Sequence, residues 1–151
     1  MMRRSAATVC HLGSPLVNHV DPADVKQVIV IRRDLNMRRG KEIAQGSHAS
    51  SAWLAELVVN HLGATGSATV QLDEVATAWL TGSFRKITLQ VRTEAELTEL
   101  HQRAVAAGLR SHLIVDSGRT EFGGVATRTA LGIGPDLASV IDTVTGDLPI
   151  Y

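Results

Sequence analysis

Two polar segments of this chain place charges and hydroxyls at the ends of apolar runs. Asp34-Leu35-Asn36-Met37-Arg38-Arg39-Gly40-Lys41 comes shortly after Val28-Ile29-Val30-Ile31, and Asp116-Ser117-Gly118-Arg119-Thr120 closes the run that begins at His112. If both runs are strands of an open α/β sheet, both segments lie at strand carboxyl ends, where such sheets bind ligands. The first segment also enters a helix, whose N-terminal amides attract anions. Arg38, Arg39 and Lys41 add to that field, so a phosphate or a developing oxyanion would be favoured there. Asp116, with hydroxyls beyond it at Thr120, Thr127 and Thr129, could orient a water. The plainer role for such an aspartate is to cap the amides of its own loop.

Other chemistries find less support. Gly40-Lys41 looks like the end of a phosphate-binding loop, but Leu35 stands where the first glycine belongs and Glu42 where the hydroxyl belongs. The histidines are His11, His19, His48, His61, His101 and His112, and none is three or four residues from another, so no metal site is expected. His48 falls on the small-residue face of a long helix, where a packed or hydrogen-bonded histidine is commoner than a catalyst. No G-x-S-x-G elbow occurs. Cys10 is the single cysteine, which excludes an internal disulfide and a thiolate metal site.

Composition narrows the class further. A chain of 151 residues predicts one domain, and 44% hydrophobic with 20% charged residues is ordinary for a globular protein. Aromatic residues are only 3%, which argues against a stacking platform for single-stranded nucleic acid. No apolar run approaches the roughly 18 residues of a membrane span, and no signal peptide is read at the start. A cytoplasmic protein is the expectation. Lys+Arg and Asp+Glu are 15 each. The balance hides Lys26, Arg32, Arg33, Arg38, Arg39 and Lys41 set against Asp34 alone. Such a cluster on a neutral chain suggests one anionic contact, with a solvated loop as the plainer alternative.

The elements that must position these groups follow from periodicity. Residues 1–25 read as a loosely ordered N-terminal arm, and 26–151 as the folded domain. Val28–Ile31 is a β-branched run, hence a strand buried on both faces. A helix is predicted over about 40–62, with Ile43, Ser47, Leu54, Val58 and Leu62 near one stripe and an unusually small first half. A short helix over 73–80 and a strand over 84–91 come next. Thr93-Glu94-Ala95-Glu96 is a capping box for a helix that ends at Gly108. A strand over 112–116, a Gly-rich loop over 117–127 and a strand over 128–133 complete the sheet. Gly134-Pro135 predicts a last helix with proline at its first position and Gly146 at its end. The order predicts a single-domain α/β three-layer sandwich, with helices on both faces of a mixed four-stranded sheet. The last two strands have no helix between them, so one of them runs antiparallel.

Four stretches, in matching order, resemble the archaeal/eukaryotic-type peptidyl-tRNA hydrolases, the second of two unrelated classes. They are Val28–Lys41, Ile43-Ala44-Gln45-Gly46-Ser47-His48-Ala49, Gly108 through Glu121, and Thr129-Ala130-Leu131-Gly132-Ile133-Gly134-Pro135. The chain reads as a bacterial member. The resemblance implies hydrolysis of the ester joining a peptide to the 3′ end of tRNA, with no cofactor and no metal. It carries catalytic roles to Lys41, Asp116, Thr120 and Thr129. It places Gln45 and His48 near the site. Substrate binding is expected of Arg38, Arg39, Gln45, His48, Arg119 and Thr127, with the arginines on acceptor-stem phosphates. This chain has Val125-Ala126-Thr127 where the family often has Pro-Gly-Ser, so Thr127 and Thr129 both stand as candidates to face the substrate. A homodimer is left open and no membrane partner is expected. Two alternatives remain on the same fold: a non-catalytic RNA-binding module, and an adaptor for a small molecule or protein.

Overall fold

A computed structural model describes residues 19–151. Most of the expected arm therefore lies outside the described residues. Its last residue, Val25, is fully buried and opens the first strand, three residues ahead of the apolar run. The strands are β1 (Val25–Arg32), β2 (Lys86–Val91), β3 (Ser111–Asp116) and β4 (Thr127–Leu137). The helices are α1 (Arg39–Asn60), α2 (Glu74–Thr81), α3 (Glu94–Ala106) and α4 (Ala138–Thr145).

The sheet order is β2-β1-β4-β3. β1 pairs parallel with β2 and antiparallel with β4, and β3 pairs antiparallel with β4. β4 is thus the one reversed strand, as the missing crossover helix requires. Alternation along β1 fills two cores. Val28 and Val30 join Leu89, Leu97, Leu131 and Ile141 on the face covered by α3 and α4, whereas Ile29 and Ile31 join Met37, Ala49 and Ala130 on the α1 face. A third cluster centres on Trp53 and Trp79, between α1 and α2. α3 begins as expected: Thr93 accepts from the Glu96 amide at 3.1 Å, and Gly108 takes φ +75° beyond its end.

Three expectations are corrected. The predicted α1 stripe is rotated: Ile43 and Leu62 are 64% and 53% exposed, while Gln45, Ala49 and Trp53 are buried. The reason is close approach. A Cβ at Gly132 of β4 would lie 2.1 Å from the Ala49 carbonyl oxygen, so the small side of α1 must face the sheet. Pro135 does not start the last helix, because β4 continues through Leu137, which pairs with Val25. β2 begins at Lys86, since Phe84 has φ +51°, outside the extended region.

A bulge interrupts the β3–β4 pairing between Ile114/Val115, where Ile114 faces Ala130 and Val115 faces Arg128. Thr129 is the extra residue. It and Ala130 therefore both turn toward α1, where strict alternation would send Thr129 to the opposite face.

The Gly132 contact fixes how near α1 lies to the strands. Gly132→Ala should lose about 1–3 kcal/mol of stability in denaturant unfolding, because backbone would have to move to admit the methyl. Unchanged stability would show that α1 is not held at this distance.

Candidate active site

The loop after β1 is anchored by Met37, which is buried among Ile29, Ile31 and Ala49. It delivers Arg38 as the N-cap of α1, so Lys41 lies in the first turn of the helix and Gln45 one turn further on the same face. Asp116 ends β3, two residues beyond Ile114 and on the same α1 side of the sheet. The loop after it folds back through Gly118, whose φ is +78° and where a Cβ would meet the Val125 carbonyl oxygen at 2.1 Å. Only glycine fits that crossing.

These elements converge on one hydrogen-bonded network. Lys41 Nζ donates to Asp116 Oδ2 at 2.5 Å and to Thr120 Oγ1 at 3.1 Å. Gln45 Nε2 donates to the same Asp116 oxygen at 3.1 Å. The amide of Gly118 donates to Asp116 Oδ1 at 2.8 Å. Thr129 Oγ1 donates to Gln45 Oε1. Gln45 is 2% exposed and Thr129 fully buried, so the bond between them leaves the amide of Gln45 one orientation, nitrogen toward the carboxylate. The Lys41 ammonium also lies 5.8 Å from the centre of the Phe122 ring.

The Asp116 carboxyl is held below the ordinary aspartate range. The Lys41 hydrogen bond is the largest cause, the Gly118 amide and Gln45 add to it, and partial burial opposes it. The carboxylate is therefore ionised at neutral pH and a weaker base than a free aspartate. Its contribution to folding is present above the unfolded value of about 4 and is lost as pH falls through the lower folded value.

Of the two roles weighed for Asp116, the loop cap is present: Oδ1 accepts from the Gly118 amide, while Oδ2 accepts from the lysine and the glutamine. Of the other expected residues, Arg38 is 77% exposed and pairs with Glu121 at 2.5 Å beside the network. Thr127 sits directly across from Asp116, with its hydroxyl donated to Val125 O at 2.9 Å. Arg119 is exposed on the loop, and His48 is exposed on the face of α1 that carries Lys41 and Gln45. Arg39 is not brought to the network. It lines a hollow of about 420 Å³ with Ile43 and Tyr151, on the other side of α1. Glu121 and Phe122 also stand beside the network, and no local pattern in the sequence marks either as a site residue.

Comparison with known proteins gives this arrangement a context. A solved structure of an Agrobacterium protein of unknown function superposes with a TM-score of 0.51 at 12% identity, covering 85% of this chain and 98% of its own, and so shares the fold. The chain is 43% identical over 125 residues to a peptidyl-tRNA hydrolase of Methanopyrus kandleri, covering 83% of this chain and 97% of that protein. It is 34% identical over 131 residues to peptidyl-tRNA hydrolase 2 of Saccharomyces cerevisiae, covering 86% of this chain and 60% of the yeast protein. The chain thus spans nearly all of the archaeal relative and less than two thirds of the yeast one. A family model described as Peptidyl-tRNA hydrolase PTH2 matches residues 25–151, a span that begins at the first residue of β1 and contains every member of the network. By that match, and by its 43% identity to an archaeal relative covered over 97% of its length, the chain belongs to the PTH2 peptidyl-tRNA hydrolase family.

Proposed function

We propose that the Lys41–Asp116 network is the centre at which this chain hydrolyses peptidyl-tRNA. The observation that carries this reading is the convergence of an ammonium, an ionised carboxylate and two hydroxyls from α1, β3, β4 and the intervening loop. Attack of water on the ester carbonyl gives a tetrahedral oxyanion, whose collapse releases the peptide acid and the free hydroxyl of the tRNA 3′ end. Asp116 fixes the attacking water by accepting its hydrogen bond, and its depressed pKa favours orientation over full proton abstraction. Lys41 spends two donors on Asp116 and Thr120, which leaves its third for the oxyanion. Thr120 donates its own proton to the substrate while accepting from Lys41.

Thr129 takes a positioning role: it orients Gln45, and Gln45 orients Asp116. That leaves Thr127, across from Asp116 at the surface, as the threonine facing the substrate. Arg38, held by Glu121, and Arg119 are placed for acceptor-stem phosphates, which position a tRNA without reading its sequence. His48 extends the same helix face toward the substrate, while Arg39 reaches only more distant parts of the tRNA. A reaction on tRNA supports a cytoplasmic location as part of this reading. Among the described residues, no helix is long and apolar enough to cross a membrane. Among the described residues, no group of three or more His, Cys, Asp or Glu is arranged to hold a metal ion.

Asp116→Ala and Lys41→Ala should each lower turnover of purified peptidyl-tRNA at least about tenfold, with far-UV and thermal unfolding signals retained. Near-normal cleavage by both folded variants would remove the assignment. The pH profile gives a separate check. With its pKa lowered, Asp116 stays ionised throughout the working range, so kcat/KM should show no acid inflection between about pH 8 and about pH 5. An inflection near pH 6 would mean that the carboxylate is not held low.

A further inference from the structure

The two edges of the sheet are treated differently. The outer edge of β2 is covered by the last residues of the chain: Gln90 N donates to Pro149 O, Tyr151 N donates to Thr88 O, both at 3.0 Å, and Leu89 bridges Ile150. Among the described residues nothing pairs with the outer edge of β3. Its sequence, Ser111-His112-Leu113-Ile114-Val115-Asp116, has no lysine, arginine or proline, the residues that commonly blunt an open edge. Val115 is 56% exposed. This open edge ends at the catalytic carboxylate.

The hydrogen-bond phase tells which groups are on offer. Gly134 N donates to Arg110 O at 2.9 Å, so Arg110, His112 and Ile114 turn their backbone groups toward β4. Leu113 and Val115 then point theirs outward. Resting on the reading of the site given above, we propose that the outer edge of β3 binds the peptidyl part of the substrate as an added parallel strand.

The chemistry of the substrate favours this recognition. Peptides on tRNA differ in every side chain and share only their backbone. An added strand is held through main-chain hydrogen bonds. The direction follows from the reaction. The C-terminal acyl carbon must sit by Asp116, so the peptide runs back toward Ser111, parallel to β3. The C-terminal residue then lies opposite Asp116, the second opposite Val115 and the third opposite Ile114. In parallel pairing that third residue donates its N–H to Leu113 O and accepts the Val115 N–H at its carbonyl. The second residue turns its N–H away.

The test uses the unmodified protein and three substrates: N-acetyl-trialanyl-tRNA, and the same compound N-methylated at the second or at the third residue from the ester. Methylation at the third residue should lower kcat/KM about five- to tenfold, mainly through KM, because one hydrogen bond is lost. Methylation at the second should leave it unchanged. Equal effects at both positions, or at neither, would overturn the added strand while the parent substrate is still cleaved. Failure to cleave the parent substrate would instead overturn the reading of the site, and the added strand with it.

Discussion

The Lys41–Asp116 ion pair joins residues 75 positions apart, at the first turn of one helix and the last residue of an edge strand. Neither end is free to take another place. Lys41 is fixed by the entry of α1, which Met37 pins to the sheet, and Asp116 by the ladder to β4 and the turn through Gly118. With side chains 14% and 13% exposed, the pair is sheltered enough to hold its geometry without being sealed from solvent. The ammonium keeps the carboxylate charged, and the carboxylate keeps the ammonium aimed. Thr120, Gln45 and Gly118 all bond to one member or the other.

Behind the pair stands a packing solution made of small groups. Gly132 lets the backbone of α1 descend onto β4 at Ala49, and that descent brings Gln45, one turn earlier, into the interior. A buried glutamine is costly unless both ends of its amide are satisfied. Here Asp116 and Thr129 satisfy them, and the bulge in β4 is what turns Thr129 to the right face. The placing of the Lys41–Asp116 pair therefore depends on a glycine with no chemistry of its own and on one irregularity in a strand.

These dependencies explain what was legible in the sequence. The strand runs, the capping box at Thr93 and the polar segments beginning at Asp34 and Asp116 are local patterns, and local sterics realise them where they stand. The rotation of α1 was not legible. Ile43, Val58 and Leu62 mark an apolar stripe, yet the depth of packing is set by Gly132, which is far away in sequence. The resemblance puts Gln45 near the site, but a polar residue on a helix gives no sign that it will be the buried hinge of a network. The bulge is equally silent: nothing local to Thr127 or Thr129 tells that the second is turned into the interior toward Gln45. Pro135 misled because a proline after glycine fits a helix start as well as it fits the irregular end of a strand.

The most direct measurement is a double-mutant cycle on the pair itself: kcat/KM for peptidyl-tRNA with Lys41→Met, with Asp116→Asn and with both changes in one chain. If the two groups act as one unit, the double variant should be about as impaired as the worse single variant, since either change already dismantles the unit. Losses that multiply would show that the lysine and the aspartate contribute independently, and would contradict the account.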